Sequence, residues 1–395
     1  LRDKDLNGWR PFSESQKTAT RSVLKYVESV VNIKFIETSN INQLSVIAFA
    51  NNEQENSGGY ASYPGSEDKR ASDIYFDIND DGSLKIPING SQIADTFIHE
   101  IGHALGLKHP FDEPDTDGNI DPGPYLQGNE DNAEWTQMSY EGSVGIIAFS
   151  ELDIAALQYI YGNNPEIRAE DDNYIYDESK PNFIWDGAGL DTIDASTSTD
   201  SVTIFLKPGY LGFKGLTQQS ELITSPGQIT VNFGTEIENL IGSNFSDVLT
   251  GNELNNSLIG GKGDDKIDGD SGIDIAVYAA NFNEVTLTNF VDYGSSGENI
   301  QLKTSWNITQ GSETDTLKNI ERLKFNDKYI AIDLDDNAGK TVKFLAALLG
   351  KELATNKEYV GAGLKLLDGG MSYEALMELG IGILLGANPS GASVV

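Results

Sequence analysis

Residues 98–109 read Ile-His-Glu-Ile-Gly-His-Ala-Leu-Gly-Leu-Lys-His, an H-E-x-x-H-x-x-G-x-x-H pattern that contains all 3 histidines of the chain. On a helix, His99 and His103 project from one face a single turn apart, so their neutral imidazoles can bind one zinc ion. Gly106 can end the helix in a left-handed conformation, and the reversed chain can then bring His109 round as a third ligand. Three nitrogen ligands leave one coordination position for water, which is typical of a catalytic zinc site.

Glu100 follows the first of these histidines and is placed to accept a proton from that water. The alternative interpretation is an ordinary amphipathic helix whose histidines bind no metal. The third histidine at the right offset, the glycine before it and the lack of any other histidine favour the zinc site.

This pattern, followed directly by Pro110, resembles the signature of the metzincin zinc peptidases. Among them it is most similar to the serralysins, secreted bacterial proteases with calcium-binding repeats behind the catalytic domain. The resemblance implies an α+β catalytic domain with one catalytic zinc. Gln137-Met138-Ser139-Tyr140 matches the family's Met-turn, which implies that Met138 lies beneath the metal. It also implies that Tyr140 can ligate zinc at rest and then donate a hydrogen bond to the developing oxyanion.

The composition narrows the range of partners. The chain has 395 residues, with 27 Lys and Arg against 61 Asp and Glu, and its formal net charge of -34 repels nucleic acid and anionic membranes. It contains 0 cysteines, so it has neither disulfides nor thiolate ligands, and calcium is the obvious alternative crosslink. No apolar run approaches the ~18 residues of a membrane span. Residues 1–5 are not a secretory signal and lack an initiator Met, so we expect the numbering to begin inside a longer precursor.

Several elements can be predicted around the histidine helix. A capping box at Ser13–Gln16 precedes a helical stripe of valines, and residues 33–36 and 44–49 read as β-branched, apolar strands. The active-site helix itself should run from about Ser91 to Leu105. Residues 73–78 alternate polar and apolar side chains, which predicts a half-exposed strand.

Metzincins pair substrate backbone with an edge strand that precedes the active-site helix, and Ile74, Tyr75 and Phe76 lie where the resemblance expects that strand. An ordinary strand is the alternative. Asp77–Gly82 imitates half of an EF-hand loop, but Ile88 stands where a bidentate Glu is needed, so a hairpin turn is favoured. An acidic loop after the third histidine could hold calcium or be a solvated polar loop; its candidate ligands are Asp115, Asp117, Asn119 and Asp121.

A nine-residue period appears further along the chain. From Gly242 the rows read GSNFSDVLT, GNELNNSLI, GGKGDDKID and GDSGIDIAV, which is the nonapeptide of calcium-binding parallel β-rolls. Two rows make one coil, so Asp247 should lie above Asp265 and Asn256 above Asp274, with calcium between the members of each pair. The apolar residue at a fixed place in each row argues against the alternative of a glycine-rich linker.

An earlier stretch at 185–194 repeats the same chemistry and resembles the calcium turn that opens the serralysin C-terminal domain. Glycines let the backbone carbonyls of a turn point inward and carboxylates add charge, so several structural calcium ions are expected. The candidate calcium ligands of the two stretches are Asp186, Gly187, Gly189, Asp191, Asp194, Asp247, Asn256, Gly260, Gly261, Gly263, Asp265, Asp268, Asp270, Gly272 and Asp274.

After Asp336 the apolar pattern becomes helical, with helices predicted at 359–367 and 373–385 behind a first one near 342–349. This appendage departs from the β-structured end of serralysins and could cap the open edge of the roll or dock a partner. The predicted organisation has three parts. They are an α+β metzincin catalytic domain at 1–165, a β-roll/β-sandwich domain at 166–336 with its roll at about 242–277, and a small all-α module at 337–395.

The leading hypothesis is a secreted, extracellular zinc endopeptidase that hydrolyses protein peptide bonds and is stabilised by structural calcium. The alternatives are a calcium-dependent surface or adhesion protein with a vestigial zinc site, and a zinc hydrolase of small amides. We expect a monomer that acts on protein or peptide substrates. The resemblance further implies a bacterial protein exported without a signal peptide by an ABC-type (type I) apparatus, with a proteinaceous inhibitor as a further partner.

Overall fold

The computed structural model describes residues 7–40, 46–55, 57–65, 71–79, 83–111, 123–292 and 303–385. The chain divides into two compact units. The first unit comprises Leu1–Asp172, Ser179–Gly189 and Ser220–Glu236, and the second comprises Asn173–Glu178, Leu190–Gln219 and Ile237–Val395. The boundaries expected from the sequence, after residues 165 and 336, stay predictions.

The helices and strands are numbered here in chain order. The α-helices are α1 (Glu14–Val30), α2 (Gln92–Ala104), α3 (Glu151–Tyr161), α4 (Asn337–Leu349), α5 (Lys357–Asp368) and α6 (Tyr373–Leu385), with 3₁₀ turns at Gly128–Glu130, Phe282–Glu284 and Leu353–Thr355. The strands are β1 (Arg10–Pro11), β2 (Phe49–Asn52), β3 (Gly59–Ala61), β4 (Ile74–Asp77), β5 (Asn173–Ile175), β6 (Asn182–Ile184), β7 (Thr192–Asp194), β8 (Val202–Phe205), β9 (Leu211–Lys214), β10 (Gln228–Val231), β11 (Asn239–Ile241), β12 (Val248–Thr250), β13 (Ser257–Ile259), β14 (Lys266–Asp268), β15 (Ile275–Val277), β16 (Thr286–Asp292), β17 (Lys303–Gln310), β18 (Glu313–Lys318), β19 (Arg322–Lys324) and β20 (Tyr329–Ala331).

The two long helices of the first unit start as the sequence predicts. Ser13 and Gln16 form the expected capping box of α1 through reciprocal hydrogen bonds. Ser91 caps α2 by accepting a hydrogen bond from Ala94 N, and Leu105 ends it. The helices bury their apolar faces in one core; its members include Val23, Val27, Val30, Phe97, Ile98, Ile101, Met138, Phe149 and Leu157.

The sheet of the first unit has the strand order β1-β2-β4-β3. Strand β4 pairs with β2 in parallel and with β3 antiparallel, and its residues Ile74, Tyr75 and Phe76 are all buried. The half-exposed pattern and the substrate-pairing edge position expected for Ile74, Tyr75 and Phe76 are therefore wrong, because β4 is buried and hydrogen-bonded on both sides. The alternative, an ordinary strand, agrees with the structure. The edge next to it is β3, which the sequence analysis did not single out.

Two other strand predictions in the first unit need correction. Residues 33–36 form no strand: Glu28 Oε1 accepts the hydrogen bond of Phe35 N at 2.6 Å, and Ile36 is 83% exposed. Of the strand expected at 44–49, only Phe49 is in β2; residues 46–48 are irregular, and Leu44 and Ser45 lie outside the described residues.

The acidic turn after β4 agrees with the hairpin interpretation. Ile78 bridges Leu84 antiparallel, and Asn79 N donates to Ser83 O at 2.9 Å. Asp80–Gly82 lie outside the described residues. So does the whole candidate loop that contains Asp115, Asp117, Asn119 and Asp121.

The second unit contains the predicted parallel β-roll. One of its sheets runs β16-β17-β18-β14-β12-β8-β9 and the other β20-β19-β15-β13-β11-β7-β5. In the first sheet Val248 pairs with Lys266, which is 266 − 248 = 18 residues later, and in the second Ser257 pairs with Ile275, again 18 later. This register confirms two rows per coil. The repeated apolar residues fill the interior; they are Leu249, Leu258, Ile267 and Ala276.

The end of the second unit is helical, as predicted. Helices α4, α5 and α6 share a small apolar core that includes Phe344, Leu367 and Leu376. Arg322 of β19 is buried and binds Asp333 at 2.6 Å and Asp368 of α5 at 2.7 Å. These ion pairs attach the helical module to the last strands of the roll. Capping of the roll's edge and docking of a partner both stay predictions.

Candidate active site

The three histidines converge on one point in the first unit. His99 and His103 lie one turn apart on α2, and Gly106, at φ 103°, reverses the chain so that His109 meets them. The Nε2 atom of His103 lies 3.0 Å from that of His99 and 3.0 Å from that of His109, and the remaining Nε2 pair is 3.2 Å apart. The predicted ligand set is therefore assembled.

Backbone carbonyls fix the orientation of two of these rings. The Nδ1–H of His99 donates to Gln137 O, and that of His103 donates to Leu107 O, both at 2.8 Å. Because Nδ1 carries the proton, Nε2 presents a lone pair, as a metal ligand must. Neither carbonyl was expected from the sequence, since every residue has a backbone carbonyl and such a contact leaves no residue pattern.

The electrostatics suit a divalent metal. Burial lowers the pKa of His99. It also lowers the pKa of His103 to about 3 and that of His109 to about 4, and for these two residues the neighbouring histidines add to the shift. All three imidazoles are therefore neutral near pH 7. Their nitrogens are closer together than twice a Zn–N bond of ~2.0–2.1 Å, so one ion can reach all three. The residues present fit zinc.

Glu100 lies on α2 beside this cluster and is 5% exposed. Its Oε2 atom has no hydrogen-bond partner among the described residues. Burial raises the pKa of Glu100 to about 8, although a hydrogen bond from the backbone of Ala61 in β3 acts in the opposite direction. A nearby dication would lower that pKa again and leave the carboxylate ionised.

Met138 and Tyr140 both lie near the histidine cluster but differ in exposure. Met138 is buried against α2: a Cβ atom on Gly102 would lie only 2.5 Å from its Sδ. Tyr140 is 60% exposed, and its ring centroid lies 5.7 Å from that of His99 and 4.7 Å from that of His109. Met138 thus packs on the ligand helix at Gly102, and Tyr140 lies beside two of the ligands at the open face; the place of Met138 beneath a bound metal stays a prediction.

A buried carboxylate of α3 holds the segment that contains Met138. Asp153 accepts hydrogen bonds from Thr136 Oγ1 at 2.6 Å, Gln137 N at 2.7 Å and Ser150 N at 3.1 Å. Through Gln137 it is connected to His99. The sequence gives no sign that Asp153 holds Thr136 and Gln137. Its residues 150–153 read only as a helix-capping pattern, and the structure contains that capping box as well.

The stacking predicted for the roll turns is present in the second unit. Asp265 Oδ1 accepts the hydrogen bond of Asp247 N at 2.8 Å, and Asp274 Oδ1 accepts that of Asn256 N at 2.7 Å. The Oδ2 atoms of Asp265 and Asp274 are buried and have no hydrogen-bond partner among the described residues. Burial, with neighbouring carboxylates adding to it, raises the pKa of each to about 8. A calcium ion is the natural counter-charge for such groups.

The turn glycines have the conformations that the nonapeptide requires. Gly261, Gly263 and Gly272 have φ values of 108°, 113° and 131°, and a Cβ on Gly261 would come within 1.9 Å of Ser243 O. A Cβ on Gly260 would likewise lie 2.2 Å from Asp265 Oδ2. Only glycine allows the stacked turns to approach so closely.

The other candidate calcium ligands either have partners within the protein or lie in the earlier stretch at 185–194. Asp268 binds Lys318 Nζ at 3.0 Å and Asn319 Nδ2 at 2.6 Å, and Asp270 lies 3.5 Å from Lys207 Nζ. Asp194 accepts the hydrogen bond of Ser196 N. In the earlier stretch, Asp186 and Asp191 are each buried, and the glycines of that stretch are Gly187 and Gly189. Calcium ligation by all of these residues stays a prediction.

Comparisons with known proteins agree with this picture. Residues 10–115 match the matrixin peptidase family, and residues 169–202 and 241–276 match the RTX calcium-binding nonapeptide repeat. The chain is 33% identical to a serralysin of Photorhabdus laumondii over 64% of its length and 56% of that protein. Serralysin G of Dickeya chrysanthemi is 32% identical over 64% of the chain and 57% of the relative. Metalloprotease AprA of Pseudomonas entomophila is 30% identical over 65% and 57%.

The chain spans about half the length of the curated relatives it matches. The predicted resemblance to serralysins is confirmed, and so is the combination of a matrixin-type domain with RTX repeats. These similarities also agree with zinc and calcium as the expected cofactors. No helix in the described part of the chain is both long enough and apolar enough to cross a membrane.

Proposed function

We propose that this protein is a secreted zinc endopeptidase that cleaves protein substrates. One observation carries the proposal: the Nε2 atoms of three neutral imidazoles lie within 3.2 Å of one another, and the helix that holds two of them also holds the buried carboxylate of Glu100. Serralysin and metalloprotease relatives support the same assignment. The presence of both the complete ligand set and the glutamate argues against a vestigial site.

The residues divide the work as follows. His99, His103 and His109 hold zinc, which when bound supplies a Lewis acid and lowers the pKa of water. Glu100 accepts the proton of the attacking water and delivers it to the leaving amine. Tyr140, beside two of the ligands, donates a hydrogen bond to the oxyanion.

Substrate backbone pairs with the edge strand β3. This strand is outermost in the sheet, and its residue Ala61 is hydrogen-bonded to Glu100, so an added strand would pass over the site. Calcium in the β-roll is structural. We also propose extracellular location, type I export and a proteinaceous inhibitor, which are what the resemblance to serralysins implies.

The test replaces Glu100 with Gln. Casein hydrolysis should fall about 10²–10⁴-fold, the usual worth of a general base, because the amide cannot accept the proton. Zinc content should stay at the wild-type level, since Glu100 is not a ligand. The matched control is E134Q at an exposed site of the same unit, which should behave as wild type.

Three outcomes would contradict the proposal in different ways. An E100Q protein that still cleaves casein removes the mechanism. Purified wild-type protein without zinc supports the adhesion alternative. Wild-type activity on short amides but not on casein moves the zinc chemistry to small substrates.

A further inference from the structure

Phe111 lies two residues after the third histidine, and its ring contacts two aromatic side chains of the site. Its ring stacks on that of His109, with centroids 5.0 Å apart and planes only 6° from parallel. The same ring meets Tyr140 at 4.9 Å and 56°. Since Tyr140 also contacts His109 at 4.7 Å, the three rings form one cluster at the open face of the site, here called the aromatic clamp (His109, Phe111 and Tyr140).

A simple packing role explains Phe111 poorly. The side chain is half-buried and is not part of the core cluster of the first unit. Its ring contacts are instead with a metal ligand and with the candidate oxyanion donor. Offset-stacked and tilted pairs at these separations are the favourable arrangements of aromatic rings.

The exposure of Tyr140 makes a stacked neighbour useful. Its side chain is 60% exposed, so ordering the ring for catalysis costs side-chain entropy. A neighbouring flat ring restricts its rotation without blocking the open face.

We propose that Phe111 is a positioning residue that acts through Tyr140, holding its ring beside His109 so that the hydroxyl is preorganised over the zinc site. This inference rests on the proposed function. It assigns Phe111 no contact with the reacting atoms. What matters at position 111 is a flat aromatic ring rather than apolar volume.

The experiment is a double-mutant cycle on the full chain with F111L, Y140F and the combined variant, with F111W as the aromatic replacement. In F111L, kcat on casein-derived peptides should fall about tenfold and KM should change less than about twofold, as expected when a transition-state contact is lost. F111W should keep kcat within about twofold of wild type. In the Y140F background, F111L should cost less than about twofold more, because its route of action is already gone.

Two kinetic results would overturn the inference. An equal F111L effect in the presence and absence of the Tyr140 hydroxyl would show that Phe111 does not act through it. A change confined to KM would make Phe111 a substrate contact instead. Y329L, which truncates an exposed ring in the second unit, is the control for aromatic loss and should match wild type.

The order of the Tyr140 ring separates a failure of this inference from a failure of the proposed function. Wild-type protein that binds zinc but cleaves no peptide would refute the proposed function alone. The clamp then predicts that in zinc-loaded F111L the Tyr140 ring, followed by NMR of isotope-labelled tyrosines with Y140F as the assignment control, becomes more mobile than in wild type, because its flat neighbour is gone. F111W should match wild type, and an unchanged Tyr140 signal in F111L would overturn the clamp.

Discussion

The ligand helix α2 and the turns of the β-roll both gather metal-binding side chains, but they do so with opposite electrostatics. The histidines are neutral, their pKa values lie below the usual range, and carbonyls of the fold orient two of them. In the roll, Asp265 and Asp274 are buried carboxylates whose pKa values are raised to about 8. Neutral ligands can be packed before the metal arrives, whereas ionised carboxylates need the cation to stay buried. The fold therefore builds the zinc site, and calcium completes the roll.

The largest test of this contrast is removal of calcium with EGTA at pH 8. Amide hydrogens of 239–277 should lose most of their protection, because two buried aspartates then ionise without a counter-charge. Those of α2 should remain protected even where the chelator also takes up zinc, because neutral imidazoles stay packed without the metal. Equal protection of 239–277 with and without EGTA, measured by hydrogen exchange with mass spectrometry, would remove the distinction.

The pH dependence of the same experiment has a defined sign. The pKa of Asp265 and Asp274 is raised from 3.8 to about 8 in the folded chain, so between those values the folded state binds more protons than the unfolded state. The contribution of these two groups to the stability of the calcium-free roll must then fall as pH rises from about 4 to about 8. In protein stripped of calcium and then dialysed free of chelator, the amide protection factors of 239–277 should accordingly be higher at pH 5 than at pH 8.

A single substitution sharpens the comparison further. D265N removes a buried charge but keeps an oxygen that can accept the hydrogen bond of Asp247 N, as Asn256 does for Asn252 N. Without calcium at pH 8, the variant should be more stable than wild type by about 1–3 kcal/mol. With saturating calcium it should be less stable by a similar amount, because a ligand is lost.

Urea unfolding in EGTA and in calcium measures both effects of D265N. The matched control is D264N, which changes the neighbouring but exposed carboxylate and should shift stability little in either condition. A D265N shift of the same sign in both conditions would contradict the role given to calcium.

How much could be predicted from the sequence depends on whether an interaction is local or distant along the chain. The extent of α2, the convergence of His99, His103 and His109, and the 18-residue register of the roll all depend on short periods along the chain, and all three predictions are confirmed. The order of strands does not. Strand β4 is interior because β3, earlier in the chain, pairs on its far side, and no alternation of side chains encodes that choice.

The residues that support the zinc site were missed for a related reason. Gln137 acts through its backbone carbonyl, so its side chain is uninformative. Asp153 reads as an ordinary capping residue, although it also binds Thr136 and Gln137 across the unit. Phe111 adjoins the motif, yet its contact with Tyr140 depends on how two loops meet.

The smallest expected effect on stability comes from a substitution in the packing between α2 and Met138. G102A would put a Cβ 2.5 Å from Met138 Sδ and 3.4 Å from Phe149 Cε1. Overpacking costs about 1–3 kcal/mol, and the helix gains about 0.5–1 kcal/mol from replacing glycine, so the net loss of stability should be at most about 2.5 kcal/mol. Activity should nevertheless fall about tenfold, because Met138 must shift and Gln137, whose carbonyl orients His99, is its neighbour.

The control for G102A is G361A on α5, where no atom lies within 4 Å of the added Cβ. That variant should gain about 0.5–1 kcal/mol from helix propensity and keep full activity. Thermal unfolding and casein hydrolysis measure both proteins. If G102A loses no more activity than G361A, the geometry of the zinc site does not depend on the packing behind α2. The contrast with the roll would then have to rest on the charge of the ligands alone, because the fold would no longer be what holds the imidazoles in place.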